Sequence, residues 1–141
     1  MRIRDSVAFV TGAPLLAKNG GGAIVNVLSV LSWVTVPTAG TYSASKAAAW
    51  ALTNWLRTGL REQGTQVLGL HVGPVDTDMA SQLTLPKVKP AEVVRQVLSA
   101  IEAGREEVLA DDMTRQVKAG LSDELGIYLN FDPDGTVPAA R

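Results

Sequence analysis

Tyr42 and Lys46 stand four residues apart in the stretch TYSASKAAAW, residues 41–50. On a helix that spacing puts both on one face, with Cβ atoms about 5–6 Å apart. A free tyrosine, with a pKa of about 10, is a poor acid–base group at neutral pH. A neighbouring ammonium stabilises the phenolate and makes the proton easier to move. Such a pair suits proton transfer to or from an alcohol or carbonyl oxygen. A serine hydroxyl at a strand end holds the same oxygen by a hydrogen bond, and Ser29 lies 13 residues before Tyr42.

These residues need elements to position them. SVAFVTG (6–12) reads as a short buried strand ending in glycine, and KNGGG (18–22) as a glycine-rich loop. AIVNVLS (23–29) is a strand rich in β-branched residues, with Ser29 at its end. VLSWVTVPTAG (30–40) reads as a loop. Ala44, Ala48, Leu52, Trp55 and Leu56 then recur at helical spacing, which predicts a helix over about 43–62. Gly64 suits its C-cap or an early turn. QVLGLHV (66–72) is a strand followed by the polar loop GPVDTDM, and residues 89–104 form a helix with Pro90 in its first turn. EVLA (107–110) is a further strand. Asp111 or Asp112 would cap a last helix reaching Lys118.

Strands alternating with helices indicate an α/β fold with a mainly parallel sheet. Ligands of such folds sit at the carboxyl ends of the strands. Ser29 and the segment Gly73–Thr77 both fall there. The expected organisation is one domain over 1–121 and a tail over 122–141.

Composition narrows the chemistry. The chain has 141 residues, 46% of them hydrophobic, and a formal net charge of -1. No basic excess points to nucleic acid or an anionic membrane. With no cysteine, thiol nucleophiles, disulfides and cysteine-based metal clusters are excluded; with His71 the one histidine, no histidine-based metal cluster is expected. The longest apolar runs fall well short of the roughly 20 residues of a membrane span, and the N-terminal apolar segment is short for a signal peptide. A cytoplasmic location is the default expectation.

AIVNVLS, YSASKAA and HVGPVDTDM together resemble the second half of a short-chain dehydrogenase/reductase, with VAFVTGA adding a short N-terminal piece. The resemblance implies a Rossmann-like three-layer fold and hydride transfer between NAD or NADP and a small alcohol or carbonyl substrate. Carried over by position, Tyr42 would be the general acid–base, Lys46 would activate it and bind the nicotinamide ribose, and Ser29 would orient the substrate oxygen. Gly73, Pro74, Val75 and Thr77 would bind the cofactor, with the Val75 backbone meeting the nicotinamide amide. Val72 and Pro74 depart from the family's Pro-Gly order there. Thr11 and Gly12 would open the phosphate-binding turn. The family also implies a homodimer or homotetramer built through the 43–62 helix, where alanines at 44, 47, 48 and 51 allow close helix approach.

The phosphate turn is incomplete. The family's pattern Thr-Gly-x-x-x-Gly-x-Gly meets Leu16 and Lys18 at its later glycine positions. PLLAKNGGG looks instead like the end of the helix before the family's fifth strand. The chain jumps from the first strand to the fifth, omitting ~90 residues at roughly 30 per βαβ unit. Ten residues between Gly12 and Ala23 are also few for a parallel crossover. A break between Gly12 and Pro14 is therefore expected.

Other readings use the same residues. A shortened, inactive chain would keep the 43–62 helix as a dimerisation module. A serine hydrolase would use Ser29, His71 and Asp76, but no Gly-x-Ser-x-Gly elbow is present. Ser32 competes with Ser29 at a spacing of 10, which fits the resemblance less well. His71 reads as a satisfied strand residue, Ser43 and Ser45 as polar residues of a helix start, and the three tryptophans as packing or subunit contacts.

Overall fold

The computed structural model describes residues 12–133. The strand expected over 6–12 lies outside them, apart from Gly12. Helix α1, Ala13–Lys18, carries Pro14 in its first turn, where the missing N–H costs nothing. Helix α1 follows directly on Gly12, whose carbonyl accepts from the Leu16 N–H at 3.0 Å. A six-residue helix spans only about 9 Å, so α1 fits into the ten-residue connection.

The turn after α1 needs glycine for a local reason. Gly21 has φ 116°, and a Cβ there would lie 2.4 Å from the Gly64 carbonyl oxygen. The two turns that lead into the first two strands therefore touch backbone to backbone. Gly64 belongs to a turn closed by its N–H to Arg61 O at 3.0 Å.

Strand β1, Gly22–Val27, pairs in parallel with β2, Thr65–His71, from Gly22 opposite Thr65 to Val27 opposite Leu70. Strand β3, Glu107–Leu109, pairs in parallel on the other side of β2, with His71 opposite Leu109. The order among the described residues is β1-β2-β3. Helix α2, Gly40–Gly59, links β1 to β2, and α3, Pro90–Glu102, links β2 to β3. Helix α2 starts three residues earlier than the spacing of its apolar positions predicts, which places Tyr42 inside its first turn. Helix α4, Asp112–Ala119, follows β3.

The period-two alternation of β2 builds two layers. Val67 faces Ala13, Leu56 and Leu60 of α1 and the α2 end, with Ile24 beside it. Leu68 and Leu70 face Val93 and Ala100 of α3 with Val108 and Val25. Leu56 and Leu68 are essentially sealed from solvent, and each such burial is worth about 1.5–3 kcal/mol. Helices thus cover both faces of a parallel sheet, a Rossmann-like α/β arrangement. Gly69 gives α2 its close approach, since a Cβ there would meet Leu28 at 3.3 Å and Thr53 at 3.6 Å.

A third cluster lies at the carboxyl end of the sheet, where Val30, Trp33, Val34 and Val117 are buried. Ile127 and Phe131, from the segment read as a tail, pack against it. Among the described residues no helix is long and apolar enough to cross a membrane.

Candidate active site at the carboxyl end of the sheet

Beyond Val27 the chain keeps its contact with β2. Leu28 N–H donates to Leu70 O at 2.7 Å, and Val30 N–H to Val72 O at 3.0 Å. Between these bonds sits Ser29, extended in backbone and capping a short 3₁₀ turn, Val30–Ser32. Its hydroxyl oxygen accepts from the Leu31 N–H at 3.1 Å, while Ser32 Oγ accepts from the Ser29 N–H at 3.3 Å. Ser32 is therefore the residue that holds Ser29 in place. Because the Leu31 contact uses only a lone pair, the Ser29 hydroxyl keeps its proton to donate.

Helix α2 packs against this turn. Its first turns carry Tyr42 and Lys46. The Lys46 ammonium reaches across to the Val27 carbonyl at 2.9 Å and lies 5.7 Å from the centre of the Tyr42 ring. One side chain thus ties the tyrosine face of α2 to the end of β1, two residues from Ser29. Tyr42 is 45% exposed, so its ring is open to a ligand, whereas Ser29 is 7% exposed. Ser45 donates to the Tyr42 carbonyl at 2.7 Å, as befits a polar residue near a helix start.

The loop after β2 arrives at the same end. Gly73 N–H donates to Asp111 Oδ2 at 2.6 Å. Val75 forms a parallel bridge with Val88, clamped by Asp76 N–H to Val88 O at 2.9 Å and Val88 N–H to Pro74 O at 3.0 Å. The exposed Thr77 donates its hydroxyl to Val75 O at 3.3 Å. The bond from Val30 to Val72 joins this loop's root to the Ser29 turn.

Not every expected residue gathers here. Thr11 lies outside the described residues. Gly12 stands at the opposite end of the sheet: its neighbour Ala13 accepts from Gln63 Nε2 at 3.1 Å, and the same nitrogen contacts Thr65 Oγ1, at the start of β2, at 2.7 Å. Gly12 is a correction to the expected cofactor set. It opens a helix that feeds the amino end of β1, not a turn at a strand's carboxyl end.

His71 is fully buried, and its ring stacks on Trp33 with centroids 3.8 Å apart and planes 17° from parallel. Nδ1 lies 3.4 Å from the Ser29 carbonyl and Nε2 3.7 Å from Glu107 Oε1. Burial lowers its pKa to about 4, against the pull of the Ser29 carbonyl and the Glu107 charge. The ring is neutral at pH 7, and in the tautomer protonated at Nδ1 it donates to that carbonyl. His71 therefore braces the serine's backbone and does not touch its hydroxyl, as a hydrolase would need. Trp33 also meets Trp50 edge-on at 6.1 Å, and Lys118 sits 5.0 Å over its ring. Sequence reasoning placed these tryptophans as packing residues but gave no signal for the histidine stack or for the Asp111 contact. Among the described residues no three metal-ligating side chains cluster.

The arrangement corresponds to known proteins. The sequence profile of the short chain dehydrogenase family matches residues 6–87, which include Ser29, Tyr42, Lys46 and the loop to Thr77. A 3-beta-hydroxysteroid dehydrogenase of Comamonas testosteroni is 39% identical over 90 residues, covering 62% of this chain and 35% of its own length. A rat dehydrogenase/reductase, SDR family member 4, is 31% identical over 94 residues, covering 67% and 33%. Among solved structures, a short chain dehydrogenase from Burkholderia cenocepacia in complex with NADP superposes with a TM-score of 0.74 and 39% identity, over 79% of this chain and 47% of that one. The chain spans about a third of the length of these curated relatives. With more than half of its residues inside the family profile, the chain belongs to the short-chain dehydrogenase/reductase family.

Proposed function

We propose that the chain carries the nicotinamide end of an NAD- or NADP-dependent oxidoreductase site acting on a small alcohol or carbonyl compound. The observation that carries this reading is the reach of Lys46 from α2 to the Val27 carbonyl beside the Tyr42 ring. In the oxidation direction Tyr42 Oη takes the substrate's hydroxyl proton, and in reduction it returns one to the carbonyl oxygen. Lys46 lends positive charge to the phenolate that forms. Ser29 donates its free hydroxyl proton to the same substrate oxygen and so orients it. A nicotinamide held by Lys46 and the Val75 backbone would supply the hydride chemistry.

The residues present fit only part of such a cofactor. Lys46, the Val75 backbone and the exposed Thr77 suit a ribose and a carboxamide. The pyrophosphate end does not fit the described residues. Gly12 lies at the wrong end of the sheet, and Leu16 packs on the backbone of the glycine turn, so that a Cβ at Gly22 would meet its side chain at 2.7 Å. Titration with NADH and NADPH, followed by nicotinamide fluorescence, tests the reading. Saturable enhancement that Tyr42→Phe preserves and Lys46→Met weakens supports it; a flat titration with both nucleotides overturns it.

A second reading rests on the outer face of α2. Ala44, Ala48 and Ala51 are exposed, with Leu52 and Trp55 half-buried beside them. Small residues on an open helix face let a second backbone come close. In this reading the chain pairs through α2 into a homodimer or homotetramer, with or without catalysis.

A further inference from the structure

The β2–β3 ladder ends abruptly at the root of the loop from Gly73 to Thr77. Ala110 N–H still donates to His71 O at 3.0 Å. The next rung of a parallel ladder would send the Gly73 N–H to the Ala110 carbonyl. Gln96 Nε2 donates to that carbonyl instead, at 3.1 Å. The Gly73 N–H turns to the Asp111 side chain, meeting Oδ2 at 2.6 Å. The other oxygen, Oδ1, accepts from Thr114 N–H at 2.8 Å and closes a reciprocal cap on α4 with the Thr114 hydroxyl. A Cβ on Gly73 would lie 3.4 Å from both carboxylate oxygens, so the loop backbone rests directly on this side chain.

We propose that Asp111 is a positioning residue for the loop Gly73–Thr77. One oxygen starts α4, and the other, through a charge-assisted bond of the strong class, fixes where the loop leaves the sheet. The division requires a carboxylate. Asparagine and serine are both good N-caps. Asparagine, however, has one acceptor oxygen for two donors, and its NH₂ would face an N–H. Serine reaches the cap and stops short of Gly73. The consequence for ligand binding rests on the nicotinamide reading above, because Val75 and Thr77 ride on the anchored segment. The tether itself is independent of that reading.

The test compares Asp111→Asn and Asp111→Ser with the parent chain. Amide hydrogen exchange read by NMR should rise on the order of tenfold at Gly73, and at Asp76 behind it, in both variants, the scale of one lost hydrogen bond to a charged group. Protection across α4 should hold. NADPH affinity should weaken by a similar factor with little change in melting temperature. Unchanged exchange at Gly73 in both variants overturns the tether. So does loss of α4 protection with the loop unaffected, because Asp111 would then be a cap alone. Looser loop amides with unchanged NADPH affinity overturn the positioning role. A parent chain that binds neither nucleotide sinks the nicotinamide reading, and exchange at Gly73 then decides the tether by itself.

Discussion

The Lys46 ammonium and the Val27 carbonyl oxygen lie 2.9 Å apart, across the gap between α2 and the end of β1. This contact orients the lysine and, with it, the face that carries Tyr42. Replacement of Tyr42 by phenylalanine removes one hydroxyl from a half-exposed ring. It should change stability by less than about 1 kcal/mol and lower any alcohol–carbonyl turnover by ~10²–10⁴. Lys46→Met should lower turnover as well and also weaken nucleotide binding, because it removes both the charge and the tie to β1. Steady-state kinetics with each variant check the pair. A Tyr42→Phe protein with near-parental turnover would overturn the tyrosine's role.

The buried His71 gives the fold a signature in acid. Its pKa falls from 6.5 to about 4 on folding, chiefly through burial. The unfolded chain therefore takes up the proton first. The histidine's stabilising contribution is complete above about pH 6.5 and is lost as pH falls toward 4, by roughly 3 kcal/mol at most. Glu107, Lys118 and Arg57 all act on the ring, and other carboxylates titrate in the same range. The comparison is therefore with His71→Phe, which keeps a ring against Trp33 and cannot titrate. Urea unfolding at pH 7, 5.5 and 4.5 should show the gap between the two proteins narrowing toward acid. Parallel pH profiles would show that the imidazole does not titrate on unfolding.

Much of this site was legible from residue types alone. The pairing of Tyr42 with Lys46 follows from helical spacing, and Ser29 follows from the end of a β-branched strand. Both signals are local, so they survive without knowledge of the tertiary fold. The Asp111 contact is not local: Gly73 and Asp111 are 38 residues apart, and they meet only because β3 pairs with β2. Asp111 could be read from sequence as a cap, which is its local half. Gly12 misled for the same reason. Thr-Gly after an apolar run looks like a phosphate turn, but where it sits depends on which strand follows, and here α1 delivers it to the amino end of the sheet. Ser32, a rival candidate by spacing, turned out to be the partner of Ser29's own amide.

The exposed alanine face of α2 should be a contact between chains. Ala44, Ala48 and Ala51 leave it flat, and Trp55 adds apolar area of the kind that interface centres favour. Light scattering of the purified chain should report a dimer or tetramer, and Ala48→Arg should shift it toward monomer while leaving the helical signal intact. A monomer at high concentration in the parent chain would rule the contact out.

The last prediction follows from the uneven fit to a dinucleotide. Residues suited to the nicotinamide and its ribose sit at the carboxyl ends of β1 and β2, whereas the described residues offer the pyrophosphate no glycine-rich turn at that end. A dinucleotide ordinarily gains much of its grip from such a turn, where backbone N–H groups and a helix N-terminus meet the phosphates. Without it, the adenosine half should add little to binding. Reduced nicotinamide mononucleotide should therefore compete for the site with an affinity within about threefold of NADH and NADPH, a difference under 1 kcal/mol. Lys46→Met should weaken all three alike, because its contact is with the shared half. Competition measured by nicotinamide fluorescence reads both outcomes. A dinucleotide that outbinds the mononucleotide a hundredfold would mean that the pyrophosphate has a cradle in this chain after all, with Thr11 and the residues before it as the first place to look.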